Sequence, residues 1–209
     1  MLRKNKHIRR LVKIIVPLSL LSASVLQAEI QPYKLVCEYK VNPLGIDVLN
    51  PRLSWMLPSD PANRNVIQTA YQIQVCLDKP TFNSSNLVWD SDKIMSDQST
   101  QIVYSGLPVV SLERYYWRIK YWDNKGRESK WSQPSFWEMG LLKSTDWKAK
   151  WIEADIPLNT ELPNPCPYLR KEINVLKKIK SARLYITSLG LYEAYLNGNK
   201  IGKDVLKPG

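Results

Sequence analysis

Two pairs of acidic residues have the spacing that places both carboxylates of a pair on one face of a β-strand. Asp90 and Asp92 form the first pair, and Glu153 and Asp155 form the second. Residues two apart share a face because strand side chains alternate. Glycoside hydrolysis needs two such carboxylates flanking a bond, one protonated and one ionised. Nothing near either pair indicates the apolar pocket that would keep one carboxyl protonated, so the sequence favours a solvated strand edge or turn and predicts no catalytic residue.

Histidine, cysteine and nucleotide chemistry have little support in the sequence. The only histidine, His7, lies in the first 28 residues, which have the composition of a removable leader. A chain without histidine cannot carry out Ser-His or Cys-His catalysis, and it lacks the commonest transition-metal ligand. Cys37, Cys76 and Cys166 show no CxxC spacing, and no phosphate-binding glycine loop is present. We predict no metal and no cofactor. The sequence does not decide whether Cys37 and Cys76 form a disulfide.

The aromatic residues are almost entirely tryptophan and tyrosine, with eight Trp and eleven Tyr against two Phe. These rings combine a flat apolar face with a polar group, which suits stacking on a sugar. Rings at strand positions are predicted to fill the core: Trp55, Trp89 and Trp117. The candidates for carbohydrate or domain contact lie near the turn centred on Asn124: Trp122, Trp131 and Trp137. Packing is favoured for these rings too, because large aromatic side chains are mostly buried.

The first 28 residues have the three-part layout of a secretory signal peptide. A basic cluster from Arg3 to Lys13 precedes an apolar run over 14–26, and Ala28 is the expected last residue removed. The run is short for a membrane span and Pro17 interrupts it, although an uncleaved anchor is the alternative. We expect export to the periplasm or medium of a Gram-negative bacterium, with no membrane association after cleavage.

Removal of this segment also changes the charge. The formal net charge of +11 falls to +5, since 24 Lys and Arg then face 19 Asp and Glu. No long basic run remains, so nucleic acid is not an expected partner.

Alternating apolar and polar residues predict an all-β chain with no helix after the leader. The clearest runs are RLSWML, AYQIQVCLD and RYYWRIKYWD. Several short strands with frequent turn signals predict a fibronectin type III or immunoglobulin-like sandwich over 33–140. A proline-containing connection is expected over 141–180.

The last segment, 181–209, is expected to begin a second β-domain. Ala182, Leu184 and Ile186 alternate as in a strand, and Asn197-Gly198 is the signature of a type I′ hairpin turn. Two strands alone are only marginally stable in water, because an independently stable sheet needs at least three strands with a packed face. The second domain is therefore expected to be incomplete.

Several stretches occur in the same order as in one enzyme family. They are CEYKVNPLGIDVLNPRLSWML, AYQIQV, LVWDSDKI, RYYWRIKYWDNKGRESKWS, FWEMGLL, WKAKWI, LRKEINV and ARLYITSLGLYEAYLNGNKIGKDVLKPG. From about Tyr33 to Gly209 the chain resembles the amino-terminal part of bacterial α-L-rhamnosidases. The resemblance implies a fibronectin-like sandwich followed by a jelly-roll similar to carbohydrate-binding modules. It also implies a later (α/α)₆ barrel whose carboxylates hydrolyse terminal α-L-rhamnose with inversion.

No catalytic residue of that family corresponds to a position in this chain, so we expect a fragment or truncated reading frame that ends within the jelly-roll. The expected role is accessory: it supports the later domains of the parent enzyme and contacts a rhamnose-containing glycan. Two alternatives are a free-standing carbohydrate-binding module and a structural or adhesion sandwich without sugar affinity, because one fold hosts many functions.

Overall fold

The computed structural model describes residues 31–59, 64–157, 159, 161–164, 166–203, 205 and 207–208. The predicted signal peptide, 1–28, lies outside these residues. The chain divides into two compact units, of which the first ends at Ala149 and the second begins at Lys150. Apart from one 3₁₀ turn at Ser144–Asp146, every regular element in the described part is a strand. The all-β prediction is confirmed.

The described part of the first unit contains eight strands in two antiparallel sheets. The strands are β1 (Tyr33–Cys37), β2 (Arg52–Met56), β3 (Gln68–Leu77), β4 (Leu87–Asp90), β5 (Ile94–Met95), β6 (Ile102–Val103), β7 (Arg114–Asp123) and β8 (Ser135–Glu138). One sheet has the order β1-β2-β6, and the other has the order β4-β3-β7-β8 with β5 also paired to β3. This is the predicted immunoglobulin-like sandwich.

The long pair β3–β7 supplies the centre of the core. Its register sets Ile73 opposite Ile119 and Val75 opposite Trp117, and all four side chains are fully buried. Gln74 in β3 and Arg118 in β7 lie between these positions and face outward, as the alternating pattern predicts, whereas Cys76 in β3 is fully buried. Each fully buried apolar side chain of this kind stabilises the fold by about 1.5–3 kcal/mol.

Tryptophans at strand positions divide between the core and its margin. Trp55 and Trp117 are buried, as predicted. Trp89 is only half-buried, and its ring lies edge-on to Tyr104 with a centroid distance of 5.3 Å. The difference arises because β4 is an outer strand of its sheet.

The cysteines are free thiols, so the structure contains no Cys37–Cys76 disulfide. Cys37 lies in β1 and Cys76 in β3, which belong to different sheets. The Sγ of Cys76 donates to the carbonyl of Lys79 at 3.1 Å. Burial raises the pKa of the Cys37 thiol to about 12, with a further contribution from Glu38, so this side chain behaves as a small apolar group.

The described part of the second unit contains four two-residue strands: β9 (Leu191–Tyr192), β10 (Tyr195–Leu196), β11 (Asn199–Lys200) and β12 (Lys207–Pro208). Strands β10 and β11 form the predicted hairpin, and Asn197 and Gly198 have φ values of 49° and 80°, the left-handed conformation that a type I′ turn requires. The strand expected over 182–186 is not formed, so that prediction is wrong. No strand in the described residues pairs with this segment, although the Ile186 carbonyl accepts a hydrogen bond from the Tyr192 hydroxyl at 3.2 Å.

Candidate carbohydrate-contact surface

The outer face of the five-stranded sheet carries a row of alternating cations and aromatic rings. Three of its members, Arg118, Lys120 and Trp122, point outward from β7 because they alternate with its core residues. The other members come from loops and from the segment before β8. We call the six residues the cation–aromatic ladder: Phe82, Arg118, Trp131, Lys120, Trp122 and Lys93.

The spacing of the ladder is that of successive cation–π contacts. The Arg118 guanidinium lies 4.4 Å from the Phe82 ring centroid and 4.2 Å from that of Trp131. The Lys120 ammonium lies 4.9 Å from the ring centroids of both Trp131 and Trp122. Each such contact stabilises by about 0.5–1 kcal/mol when exposed and about 2 kcal/mol when desolvated.

Polar partners fix the two central cations of the ladder. The Nε and Nη2 of Arg118 donate to Gln74 Oε1 at 3.1 and 2.7 Å. Lys120 Nζ forms an ion pair with Glu128 Oε1 at 2.6 Å, and the hydrogen bond from Lys120 lowers the pKa of the Glu128 carboxyl. Burial lowers the pKa of Arg118, which indicates that the aromatic neighbours exclude water from its guanidinium.

The three predicted carbohydrate-contact tryptophans have different environments. Trp122 and Trp131 are half-buried, and each has two cations within 5 Å of its ring centroid. A sugar that stacked on either ring would compete with these cations for the aromatic surface. Trp137 is fully buried, with its ring stacked on Tyr115 at 5.1 Å. Its ring has no exposed face for a sugar, because β8 pairs with β7 and turns this side chain into the core.

The four candidate carboxylate residues are all exposed, so none lies in an apolar pocket that would keep it protonated: Asp90, Asp92, Glu153 and Asp155. Asp90 Oδ1 accepts hydrogen bonds from Gln72 Nε2 at 2.7 Å and from the Asp92 amide at 3.0 Å. Its Oδ2 accepts one from Gln74 Nε2 at 2.7 Å. Asp90 therefore ties β4 to β3 across the outer face of the sheet. Glu153 is exposed in the second unit.

Sequence alternation identifies only part of the ladder. The outward positions of β7 can be deduced from its period of two, which places Lys120 and Trp122 on the same face of the strand. Phe82 and Lys93 lie in separate loops, and their contacts depend on the pairing of β3 with β4 and β7. No short-range signal in the sequence connects them to Arg118 or Trp122.

Comparison with known proteins places this sandwich in a family. Residues 32–143 match the family described as "Rha78A-like, N-terminal immunoglobulin domain", and residues 177–209 match "Alpha-L-rhamnosidase N-terminal domain". The chain belongs to the α-L-rhamnosidase family. It is 38% identical over 203 residues to an α-L-rhamnosidase of Alteromonas sp. (strain LOR) and 37% identical over 174 residues to one of Formosa agariphila. These alignments cover 94% and 80% of this chain.

Solved α-L-rhamnosidase structures share the fold. The Streptomyces avermitilis α-L-rhamnosidase complexed with L-rhamnose is 41% identical with a TM-score of 0.56, over 60% of this chain and 12% of that chain. The α-L-rhamnosidase from Dictyoglumus thermophilum is 37% identical with a TM-score of 0.55, over 61% of this chain and 14% of that chain.

The α-L-rhamnosidase match concerns only the amino-terminal region. The chain spans about a fifth of the length of its curated relatives, 22% of the Alteromonas protein and 19% of the Formosa protein. Within the described part of the chain, no helix has the length and apolar character needed to cross a bilayer.

Proposed function

We propose that this chain is the non-catalytic amino-terminal region of an exported α-L-rhamnosidase. The parent enzyme hydrolyses terminal α-L-rhamnose from glycosides with inversion, and this region supports its later domains and contacts glycan. The two family matches and the short span relative to the curated relatives support this assignment.

One observation carries the supporting role: none of the described residues from Lys150 to Val205 is buried. Large apolar side chains are almost fully exposed there, including Tyr168 at 99%, Leu176 at 98% and Leu189 at 90%. Each buried aliphatic side chain contributes about 1.5–3 kcal/mol, and extended exposed apolar surface marks an interaction site. The partner that we propose is polypeptide equivalent to the part that follows the matched region in the longer relatives.

Hydrogen exchange tests this partner. We would compare the chain alone with a fusion that adds, after Gly209, the segment following the matched region in the Alteromonas relative. The matched control adds a Gly/Ser linker of equal length, which stays a flexible coil. The proposal predicts that amides of 150–209 gain protection only in the first fusion. Equal and strong protection of these amides in the unfused chain would contradict it.

Activity gives a second test of the proposal. We expect the purified chain to release no rhamnose from a synthetic α-L-rhamnoside, with a full-length relative as the positive control. Turnover by the pure chain would place catalytic groups within it and overturn the non-catalytic assignment.

Export rests on the leader-like pattern of 1–28. Intact-mass measurement of protein from the periplasm and medium should give a product that begins at Glu29. A variant that lacks 1–28 is the control and should stay in the cytoplasm. Recovery of the uncleaved chain in the membrane fraction would instead identify 1–28 as an anchor.

A further inference from the structure

An open groove lies at the edge of the sandwich where β4 and β5 of one sheet face β6 of the other. It has a volume of about 410 Å³, within the roughly 300–1,000 Å³ typical of small-molecule sites. Its lining includes these polar and aromatic residues: Trp89, Asp90, Ser91, Gln98, Gln101 and Ser105. We call this feature the edge groove.

The segment 96–101, which forms one wall of the edge groove, is held at several points. Buried Gln68 donates through Nε2 to the carbonyls of Ser96 and Gln98 at 3.2 and 2.8 Å. The Oε1 of Gln68 accepts a hydrogen bond from Trp55 Nε1 at 3.0 Å. The Trp55 backbone amide donates to the Ser99 carbonyl at 3.0 Å. The wall is therefore fixed before any ligand arrives, which lowers the entropic cost of binding.

Gln101 is held in an uncommon conformation at the edge groove. Its φ of 55° is in the left-handed region, and its amide N–H donates to Ser54 Oγ at 2.9 Å. Its side chain is exposed and makes no hydrogen bond to another described residue. Non-glycine residues held in this region often lie at binding sites.

The charge and polarity of the edge groove define a ligand class. Its lining contains no lysine or arginine and a single carboxylate, Asp90, whose oxygens already accept three N–H groups. An anionic ligand has no counter-charge there. Half-buried Trp89 offers an apolar ring, and among the described residues no cation lies over it, unlike Trp122 and Trp131. An aromatic ring beside amides and hydroxyls suits a neutral polyhydroxylated ring.

We propose that the edge groove binds a neutral saccharide, with a pyranose ring packed against Trp89 and its hydroxyl groups hydrogen-bonded to the side chain of Gln101. The inference rests on the glycan-contact part of the proposed function and moves that contact from the cation–aromatic ladder to the edge of the sandwich.

The test is an NMR titration of the full chain that follows its eight indole N–H groups. The probes are L-rhamnose, methyl α-L-rhamnoside, D-glucose, D-galactose and D-mannose, added separately. A Trp89→Phe variant, which keeps a ring against Tyr104, identifies the Trp89 resonance. We expect at least one sugar to shift the Trp89 resonance in a saturable way while those of Trp122 and Trp131 stay in place.

Variants then assign the contact. Gln101→Ala should weaken binding about tenfold, the effect of one lost hydrogen bond. Gln133→Ala, at another exposed glutamine outside the edge groove, is the matched control and should bind as the parent does. Saturable shifts at Trp122 or Trp131 instead of Trp89 would overturn the proposal that the edge groove is the binding site, but would support a glycan contact elsewhere on the sandwich. No saturable shift with any probe would overturn both, and unchanged affinity in Gln101→Ala would remove Gln101 from the site.

Discussion

Replacement of Trp131 by alanine tests whether the cation–aromatic ladder is structural. The substitution removes contacts with Arg118 at 4.2 Å and with Lys120 at 4.9 Å. The Lys120 side chain is only 17% exposed, so its cation–π contact should be closer in energy to a desolvated contact than to an exposed one. With about 0.5–2 kcal/mol per contact, we expect the loss of both contacts to lower the free energy of unfolding by about 1–4 kcal/mol. Glu128 still pairs with Lys120 in the variant, so the cation itself is not left uncompensated.

Urea unfolding monitored by circular dichroism measures this loss. The midpoint should fall while the slope with denaturant stays constant, because the folded surface changes little. Trp151→Ala is the matched control, since that ring is 67% exposed and its removal should cost less than about 0.5 kcal/mol. A Trp131→Ala variant as stable as this control would refute the structural role. If that stable variant also lost saccharide binding, Trp131 would be a sugar platform.

Two further predictions concern titratable groups. Burial favours the neutral form of Asp123, but hydrogen bonds from the amides of Arg127 and Lys125 and from the Arg127 guanidinium outweigh it and lower the pKa of the carboxyl. Because the pKa of Asp123 is lower in the folded than in the unfolded chain, its stabilisation is present above about pH 4 and is lost as the pH falls through the folded pKa. Asp123→Asn should therefore reduce the loss of unfolding free energy at acid pH. An unchanged loss at acid pH would show that Asp123 does not contribute to it. In a thiol titration of the native chain, exposed Cys166 should react while the two buried thiols stay protected, and only one reactive thiol after unfolding under non-reducing conditions would instead reveal a disulfide.

The sandwich could be predicted because the sequence of its longest strands, β3 and β7, shows a local alternating pattern. Buried side chains alternate with outward ones over 71–75 in β3 and over the whole of β7, and that period both assigns the strand and selects the buried face. The outward direction of Trp122 follows from the same period. Its two cation partners, Lys93 and Lys120, could not both be deduced, since Lys93 reaches the ring only through the pairing of β5 and β4 with β3.

The burial of Trp137 is hard to predict from sequence because its strand is short. Strand β8 has four residues, and its proximity to the turn at Asn124 made Trp137 a candidate for sugar contact even though packing was favoured. The decisive contact is the pairing that sets Tyr115 opposite Trp137 across β7 and β8. This pairing joins residues far apart in sequence, and the stacked rings follow from it. The edge groove was missed for a related reason, because its walls come from both sheets.

The second unit separates local from non-local determinants within one segment. The hairpin at Asn197-Gly198 forms because its turn needs only two residues that tolerate positive φ, and both adopt it. The run from Ala182 to Ile186 has an equally clear alternating pattern but does not form a strand. Strand propensity mainly reflects packing and pairing with neighbours, and within the described residues this run pairs with no strand. The same cause exposes Leu184 and Ile186 to 58% and 44%. An added partner segment should therefore order this run and bury both side chains together, while the hairpin changes little.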